Sequence, residues 1–208
     1  MPRDPQRPLR ADAQRNREKI LAAAVRVFSE EGLDAHYERI AREAGVGSGT
    51  LYRNFPTREA LVEAAYRSEL ARLCDAVPGL LAAMPPHEAL RAWTRHFMDY
   101  VTAKFGMADA LQAVVAAGTN PYNESHQMIQ AALASLMEAG TTAGEIRSDI
   151  SPADMFAALT GIALTSADPG RRDQAERLID LTLDGLRPVP PKPPTAVAPT
   201  GEPGPVTP

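Results

Sequence analysis

The feature that most constrains the fold of this chain is the segment 38–56, which reads as two short helices joined by a tight turn. Ile40, Ala41 and Ala44 recur at helical spacing and give the first helix one apolar face. Gly45 follows at once, and a glycine accepts the positive φ of a sharp helix exit because it has no Cβ. The segment therefore predicts a helix-turn-helix.

The second helix of this motif separates its apolar residues from its polar ones. Leu51 and Phe55 lie four residues apart, so we expect both to face the core. The residues left pointing outward are Ser48, Thr50, Tyr52, Arg53 and Asn54. Small and hydrogen-bonding side chains on an exposed helix suit the major groove of DNA, whose base edges offer donors and acceptors. The pattern predicts a helix that reads DNA.

The same residues resemble the DNA-binding domain of the tetracycline-repressor (TetR) family. The resemblance is carried by the run Ile40-Ala41 … Ala44-Gly45-Val46 … Gly49-Thr50-Leu51-Tyr52 … Asn54-Phe55 … Arg58-Glu59-Ala60-Leu61, and by a preceding helix that ends Val27-Phe28-Ser29-Glu30-Glu31-Gly32-Leu33. It extends over residues 12–187, with specific motifs in residues 17–62 and a match in helix order and length elsewhere. It implies an all-α protein with an N-terminal DNA-binding domain and a helical body that binds a ligand.

The resemblance also implies which residues contact DNA. In the family, bases are faced by the positions that match Ser48, Gly49, Thr50, Arg53 and Asn54, and phosphates by those that match Tyr52 and Arg58. The residue chemistry agrees, because the guanidinium of Arg53 fits guanine and the amide of Asn54 fits adenine. The alternative is that both side chains are simply solvated. Many members carry paired threonines where this chain has Ala35-His36-Tyr37, and the threonine hydroxyls cap the first motif helix and touch a phosphate. His36 and Tyr37 are therefore candidates to replace the threonines in that role.

Charge is unevenly distributed along the 208 residues, whose formal net charge is −4. Residues 1–58 hold 11 Lys and Arg against 8 Asp and Glu, and residues 59–208 hold 11 against 18. A mildly basic amino-terminal part on an acidic body fits a DNA reader. A single cysteine, Cys74, excludes an internal disulfide and suits a reducing compartment. With no signal peptide or membrane span evident, we expect a cytoplasmic, nucleoid-associated protein.

Prolines and hydrophobic periodicity predict an all-α chain of about nine helices. The predicted parts are a disordered arm at 1–11, the DNA-binding domain at 12–56, an effector-binding and dimerisation domain at 57–187, and a disordered tail at 188–208. That tail has nine prolines in 21 positions. Pro78-Gly79 and Pro85-Pro86 predict a break after a helix that runs from 57 to about 77.

Two sets of apolar residues in the body are candidates for sites. The candidate effector pocket comprises Trp93, Phe97, Tyr100, Met107, Leu111, Met128, Leu133, Met137 and Phe156. An apolar stripe is also what an ordinary core looks like, so both interpretations stay open. The resemblance implies that the last two helices form the dimer interface, through Met155, Leu159, Ile162, Ile179, Leu183 and Leu186.

The sequence predicts a homodimeric transcriptional regulator, most simply a repressor that a small apolar effector releases from a near-palindromic operator. No metal-ligand spacing occurs among the four histidines and no catalytic constellation stands out, so we expect neither a cofactor nor an enzyme. The alternative is a helical small-molecule-binding or interaction protein that has lost specific DNA recognition. An enzyme with an all-α active site is the remaining rival.

Overall fold

The computed structural model describes residues 6–165 and 171–188. These residues form nine α-helices and one short 3-10 turn, Gly32–Asp34, and no strand. The helices are α1 Gln6–Glu31, α2 Tyr37–Ala44, α3 Ser48–Asn54, α4 Arg58–Ala83, α5 Pro86–Gly106, α6 Ala108–Ala116, α7 Ser125–Thr142, α8 Pro152–Thr165 and α9 Arg172–Asp184. The predicted all-α class is confirmed.

Helices α1, α2 and α3 form a small amino-terminal head, whose buried residues are continuous with the core of the body. Ile20, Phe28, Ile40 and Leu51 are fully buried there, each 0% exposed. Gly45 ends α2 with φ of 67°, a left-handed backbone that its missing Cβ permits. The two motif helices, the turn and the inward-facing residues predicted from the sequence are therefore confirmed.

Helix α1 begins earlier than the sequence analysis expected. It starts at Gln6, so residues 6–11, assigned above to a disordered arm, are helical; residues 1–5 lie outside the described residues. Pro8 does not prevent this, because it falls in the first turn, where a helix N–H has no acceptor within the helix. Most of the predicted tail, residues 189–208, also lies outside the described residues.

Helix α4 is longer than predicted and links the head to the body. It continues through Pro78 and Gly79 to Ala83, so the break expected at residue 78 is wrong. A proline inside a helix removes one backbone hydrogen bond. Packing overrides this cost here: Leu73 and Val77 are buried just before the proline, and the indole Nε1–H of Trp93 donates to the Leu73 carbonyl oxygen at 3.0 Å.

Two helix starts, those of α4 and α8, follow the capping rules that the sequence displays. Thr57 Oγ1 accepts a hydrogen bond from the Ala60 N–H at 3.1 Å at the start of α4. At α8 the pair is reciprocal, since the Ser151 N–H donates to Asp154 Oδ2 at 3.0 Å and the Asp154 N–H donates to Ser151 Oγ at 3.2 Å. The hydrogen bonds from Ser151 hold the pKa of Asp154 below its ordinary value, and the bond from the Ser151 hydroxyl has the largest effect.

Candidate nucleic-acid interface and ligand site

Helix α3 presents one polar, exposed face and one buried face. Leu51 is 0% exposed and Phe55, just after the helix, is 2% exposed, so both anchor α3 in the head. The opposite face is formed by the exposed residues Ser48, Gly49, Tyr52, Arg53 and Asn54 and the half-buried Thr50. We call this surface the reading face. A Cβ added at Gly49 would meet no other atom within 4 Å, which shows that this end of the face is open.

The two long polar side chains of the reading face fold back onto their own helix. Arg53 donates through Nε to the Gly49 carbonyl oxygen at 3.0 Å and through Nη2 to Thr50 Oγ1 at 3.4 Å. Asn54 Nδ2 donates to the Thr50 carbonyl oxygen at 2.8 Å. Because these bonds are exposed and local, exchanging them for bonds to base edges has a small net cost.

The residues at the position of the family's paired threonines have separate roles. His36 is the N-cap residue of α2, but its exposed side chain makes no capping hydrogen bond. Tyr37 packs its ring against Tyr52 of the reading face, with ring centroids 4.9 Å apart. The Tyr37 hydroxyl is buried without a hydrogen-bond partner among the described residues, and burial raises the pKa of Tyr37 to about 12. Tyr37 thus supports the ring of Tyr52 from below rather than capping α2.

Arg58 is directed into the head, away from the reading face. Its guanidinium donates through Nη1 to the Ala35 carbonyl oxygen at 2.8 Å and through Nη2 to the Gly32 carbonyl oxygen at 2.9 Å. It also lies over the Phe28 ring, 5.1 Å from the centroid. The phosphate contact predicted for Arg58 gives way in this structure to a bridge between the 3-10 turn and the start of α4. Helical periodicity does not reveal such a bridge, because both acceptors are main-chain atoms.

Three acidic residues of the head, Glu30, Glu31 and Glu43, are paired with arginines, which limits their repulsion of DNA phosphates. Arg39 pairs with both Glu30 and Glu31, and Arg26 pairs with Glu43. The hydrogen bond from Arg39 holds the pKa of Glu31 below its ordinary value. The sequence analysis did not identify these pairs, because their partners lie eight to seventeen positions apart in the chain.

The candidate effector residues form a packed aromatic and aliphatic cluster in the body. Seven of the nine are at most 4% exposed, namely Trp93, Phe97, Tyr100, Met107, Leu111, Leu133 and Met137. Phe156 is half-buried, and Met128 is 39% exposed. Clefts lie elsewhere: one of about 390 Å³ between the start of α5 and the end of α9, and one of about 330 Å³ between α4 and α5 that Tyr100 borders. In this conformation the candidate pocket is filled by its own side chains.

Three polar residues beside this cluster were missed from the sequence. The hydroxyls of Tyr66 and Tyr100 are 2.8 Å apart, and the Tyr66 ring meets the Tyr122 ring edge-on at 5.5 Å. Lys104 Nζ lies over the Tyr122 ring, 4.8 Å from its centroid. Tyr66 could have been found, because it continues the buried stripe of α4 from Val62 to Leu70. Tyr122 lies in a loop, where periodicity gives no signal.

The six predicted dimer residues are at most 9% exposed within a single protomer. Within one protomer they therefore pack α8 and α9 against the body and against each other, and their part in a dimer interface stays a prediction. The large apolar residues that do face outward on these helices are Leu164, 60% exposed, and Leu181, 70% exposed. Periodicity identifies a buried stripe but does not tell which chain buries it.

Comparison with known proteins decides the family. Residues 20–65 match the family model of bacterial regulatory proteins of the tetR family, and residues 85–188 match the model of the C-terminal domain of SbtR-like transcriptional regulators. The crystal structure of the TetR transcriptional regulator SCO0520 from Streptomyces coelicolor is 76% identical, with a TM-score of 0.82, over 84% of this chain and 99% of that one. This chain belongs to the TetR family.

Other relatives of this TetR-family regulator place it among DNA-binding proteins. A TetR transcription regulatory protein from Mycobacterium vanbaalenii is 36% identical with a TM-score of 0.71, over 86% of this chain and 99% of that one. The HTH-type transcriptional regulator UidR of Escherichia coli is 28% identical over 164 residues, 70% of this chain and 76% of UidR. The protein is thus a DNA-binding transcriptional regulator. No helix of the described residues combines the length and apolar character needed to cross a membrane.

Proposed function

We propose that this TetR-family regulator is a homodimeric repressor that binds a near-palindromic operator on chromosomal DNA in the cytoplasm and leaves it when a small effector binds the body. The observation that carries the proposal is the reading face of α3. It is polar and open, and the buried side chains of Leu51 and Phe55 hold it rigidly on the opposite side. Base reading needs such a face, and Arg53 and Asn54 have the donor geometry for guanine and adenine.

Dimerisation follows from the geometry of DNA. Two recognition helices must enter major grooves about 34–36 Å apart, and one head of three helices does not span that distance. The outward residues Leu164 and Leu181 supply exposed apolar surface on α8 and α9. We assign the subunit contact to this outer face, next to the stripe of residues that holds the two helices on the body.

Effector control requires a connection between the body and the head, and α4 supplies it. The helix begins at Arg58, which is bound to the 3-10 turn of the head. Further along it, the Tyr66 hydroxyl and the Leu73 carbonyl oxygen form hydrogen bonds with residues of the aromatic cluster. An effector that separates the residues of that cluster moves α4 and hence the spacing of the two reading faces. Such coupling is worth about 1–3 kcal/mol in typical cases.

The test begins with selection of bound fragments from random duplex DNA, followed by salt titration with the selected site. Specific binding should weaken steeply with salt, because phosphate contacts release counterions. Arg53→Ala should lose roughly 5- to 150-fold in affinity and relax the preference at one base pair. Arg95→Ala, an exposed arginine on α5, is the matched control and should behave as wild type. Failure to enrich any sequence would favour the alternative of a binding protein without DNA recognition.

The sign of regulation is tested in cells. A reporter placed behind the selected site should be transcribed more strongly when the gene for this protein is deleted. Lower transcription in the deletion strain would show an activator and overturn the repressor assignment.

A further inference from the structure

Three tyrosines and one lysine from separate segments meet in the body close to the head. Tyr66 comes from α4, about two turns after its start, Tyr100 and Lys104 from α5, and Tyr122 from the loop between α6 and α7. Tyr66 is 0% and Tyr100 is 4% exposed, and their hydroxyls bond to each other at 2.8 Å. We call these four residues the polar cluster. It is continuous with the aromatic cluster, since the Tyr100 and Phe97 rings lie 6.3 Å apart.

Lys104 is a half-buried cation without a counter-ion. Within residues 6–165 and 171–188, no carboxylate forms an ion pair with it, and burial alone lowers its pKa. Its ammonium group is stabilised by a cation–π contact with the Tyr122 ring, whose centroid lies 4.8 Å from Nζ. A cation that is partly removed from water favours an anion strongly, because the desolvation has already taken place.

The loop that carries Tyr122 has a left-handed backbone at both ends. Gly118 has φ of 92° and Glu124 has φ of 70°, and Glu124 is the only non-glycine with positive φ among the described residues. Positive φ at a non-glycine residue costs conformational energy and is a feature of switch segments and ligand clamps. Between these points the Tyr122 N–H donates to Asn120 Oδ1 at 3.0 Å, and just after them Ser125 Oγ, at the start of α7, donates to the Tyr122 carbonyl oxygen at 2.8 Å. The Tyr122 ring lies against the Tyr66 ring and under Lys104, so this loop packs against the other members of the polar cluster.

We propose that the polar cluster is the anion-binding end of the effector site, so that the effector is a small organic acid with a carboxylate, sulfonate or phosphate group and an apolar body. Lys104 pairs with the anion, and the hydroxyls of Tyr66 and Tyr100 donate to it, after Tyr122 has moved away with its loop. The apolar body then lies among the aromatic residues around Phe97. This inference rests on the proposed effector control and specifies the class of ligand.

A pair of fluorescent probes that differ in one charged group tests the proposal on the full-length protein. 8-Anilinonaphthalene-1-sulfonate carries the anion, and 1-anilinonaphthalene is its uncharged analogue. Wild type should bind the sulfonate more tightly. Lys104→Met should weaken sulfonate binding by about tenfold or more, as expected for a hydrogen bond to a charged group, and leave the uncharged probe within twofold. Lys104→Arg should retain the preference.

Lys19→Met is the matched control, because Lys19 is an exposed lysine of α1 and the substitution removes the same charge. Sulfonate binding to that variant should equal that of wild type. The proposal is overturned if wild type shows no preference for the sulfonate, if Lys19→Met and Lys104→Met have the same effect, or if Lys104→Met weakens both probes equally.

Operator affinity without probe separates this inference from the proposed function. Thermal unfolding first establishes that the variants are folded. If wild type does not bind the operator but still prefers the sulfonate probe, the regulatory role is overturned and the anion site is supported. Operator binding with no charge preference would leave the repressor and overturn the ligand class.

Discussion

Replacing Arg58 by Met tests whether this residue holds the head together or contacts DNA. The side chain makes two hydrogen bonds to main-chain oxygens, of Ala35 and Gly32, and lies over the Phe28 ring. Each hydrogen bond contributes about 1 kcal/mol net and the ring contact about 0.5–1 kcal/mol, so the loss should be roughly 2–3 kcal/mol. For a chain of this size that corresponds to a fall in Tm of about 4–12 °C.

Thermal unfolding and salt-dependent operator binding together decide the role of Arg58. A residue that only positions the head should lower Tm and operator affinity in Arg58→Met while the slope of log Kd against log salt stays as in wild type. A phosphate contact would instead reduce that slope by about 0.9, because one fewer counterion is released. An unchanged Tm with a reduced slope would refute the structural interpretation.

Arg67→Met on the same helix is the control for this experiment. Arg67 is 51% exposed and pairs with Glu63 at 3.0 Å, four residues earlier. Such exposed helix pairs contribute about 0.3–0.5 kcal/mol, so its Tm should change by at most about 2 °C.

Two further predictions concern stability. Gly106→Ala should destabilise the protein by about 1–3 kcal/mol, since the new Cβ would lie 2.7 Å from Ser29 Cβ and 3.0 Å from Ser29 Cα. Gly79→Ala, with open space at that position, should instead stabilise the protein by about 0.5–1 kcal/mol. Thermal unfolding of the two variants checks both directions of the change in stability. Asp154 has a depressed pKa in the folded state, so its contribution to the stability of the fold is present above the unfolded carboxyl pKa and is lost as pH falls through the folded pKa. Asp154→Asn should therefore destabilise the protein near neutral pH, and the difference in stability from wild type should shrink on acidification. Unfolding curves across pH 2–6 would show or contradict this.

The head could be predicted from the sequence almost entirely. Helices α2 and α3 are short, and the boundaries around them have local causes: Gly45 for the exit of α2, Pro56 after α3 and the Thr57 hydroxyl for the start of α4. Leu51 and Phe55 settle which face is exposed, because their spacing allows only one buried side. Where local chemistry and the global fold agree, a single sequence is sufficient.

The errors occur where tertiary packing decides. Pro78 signals a helix end, yet α4 continues, because both neighbours on the buried side, Leu73 and Val77, are fixed in the core. Arg58 contacts main-chain oxygens that no pattern of side chains reveals, and its predicted phosphate contact stays a prediction. The apolar stripes of α8 and α9 are buried within one protomer, and the large apolar residues that remain exposed on these helices are Leu164 and Leu181.

The contacts between head and body limit how an effector can act. Gly106 of α5 lies so close to Ser29 of α1 that no Cβ fits between them, and α6 contacts the 3-10 turn that Arg58 joins to α4. Because these contacts connect the head to α4, α5 and α6 at once, a displacement of α4 cannot bend the head internally without breaking the Arg58 bonds. The roughly 2–3 kcal/mol in that contact is comparable to a typical coupling energy of about 1–3 kcal/mol. Under the proposed effector control, a rotation of the whole head together with α4 keeps the Arg58 bonds but has to break the contacts of the head with α5 and α6. Those contacts therefore set the cost of changing the distance between two reading faces.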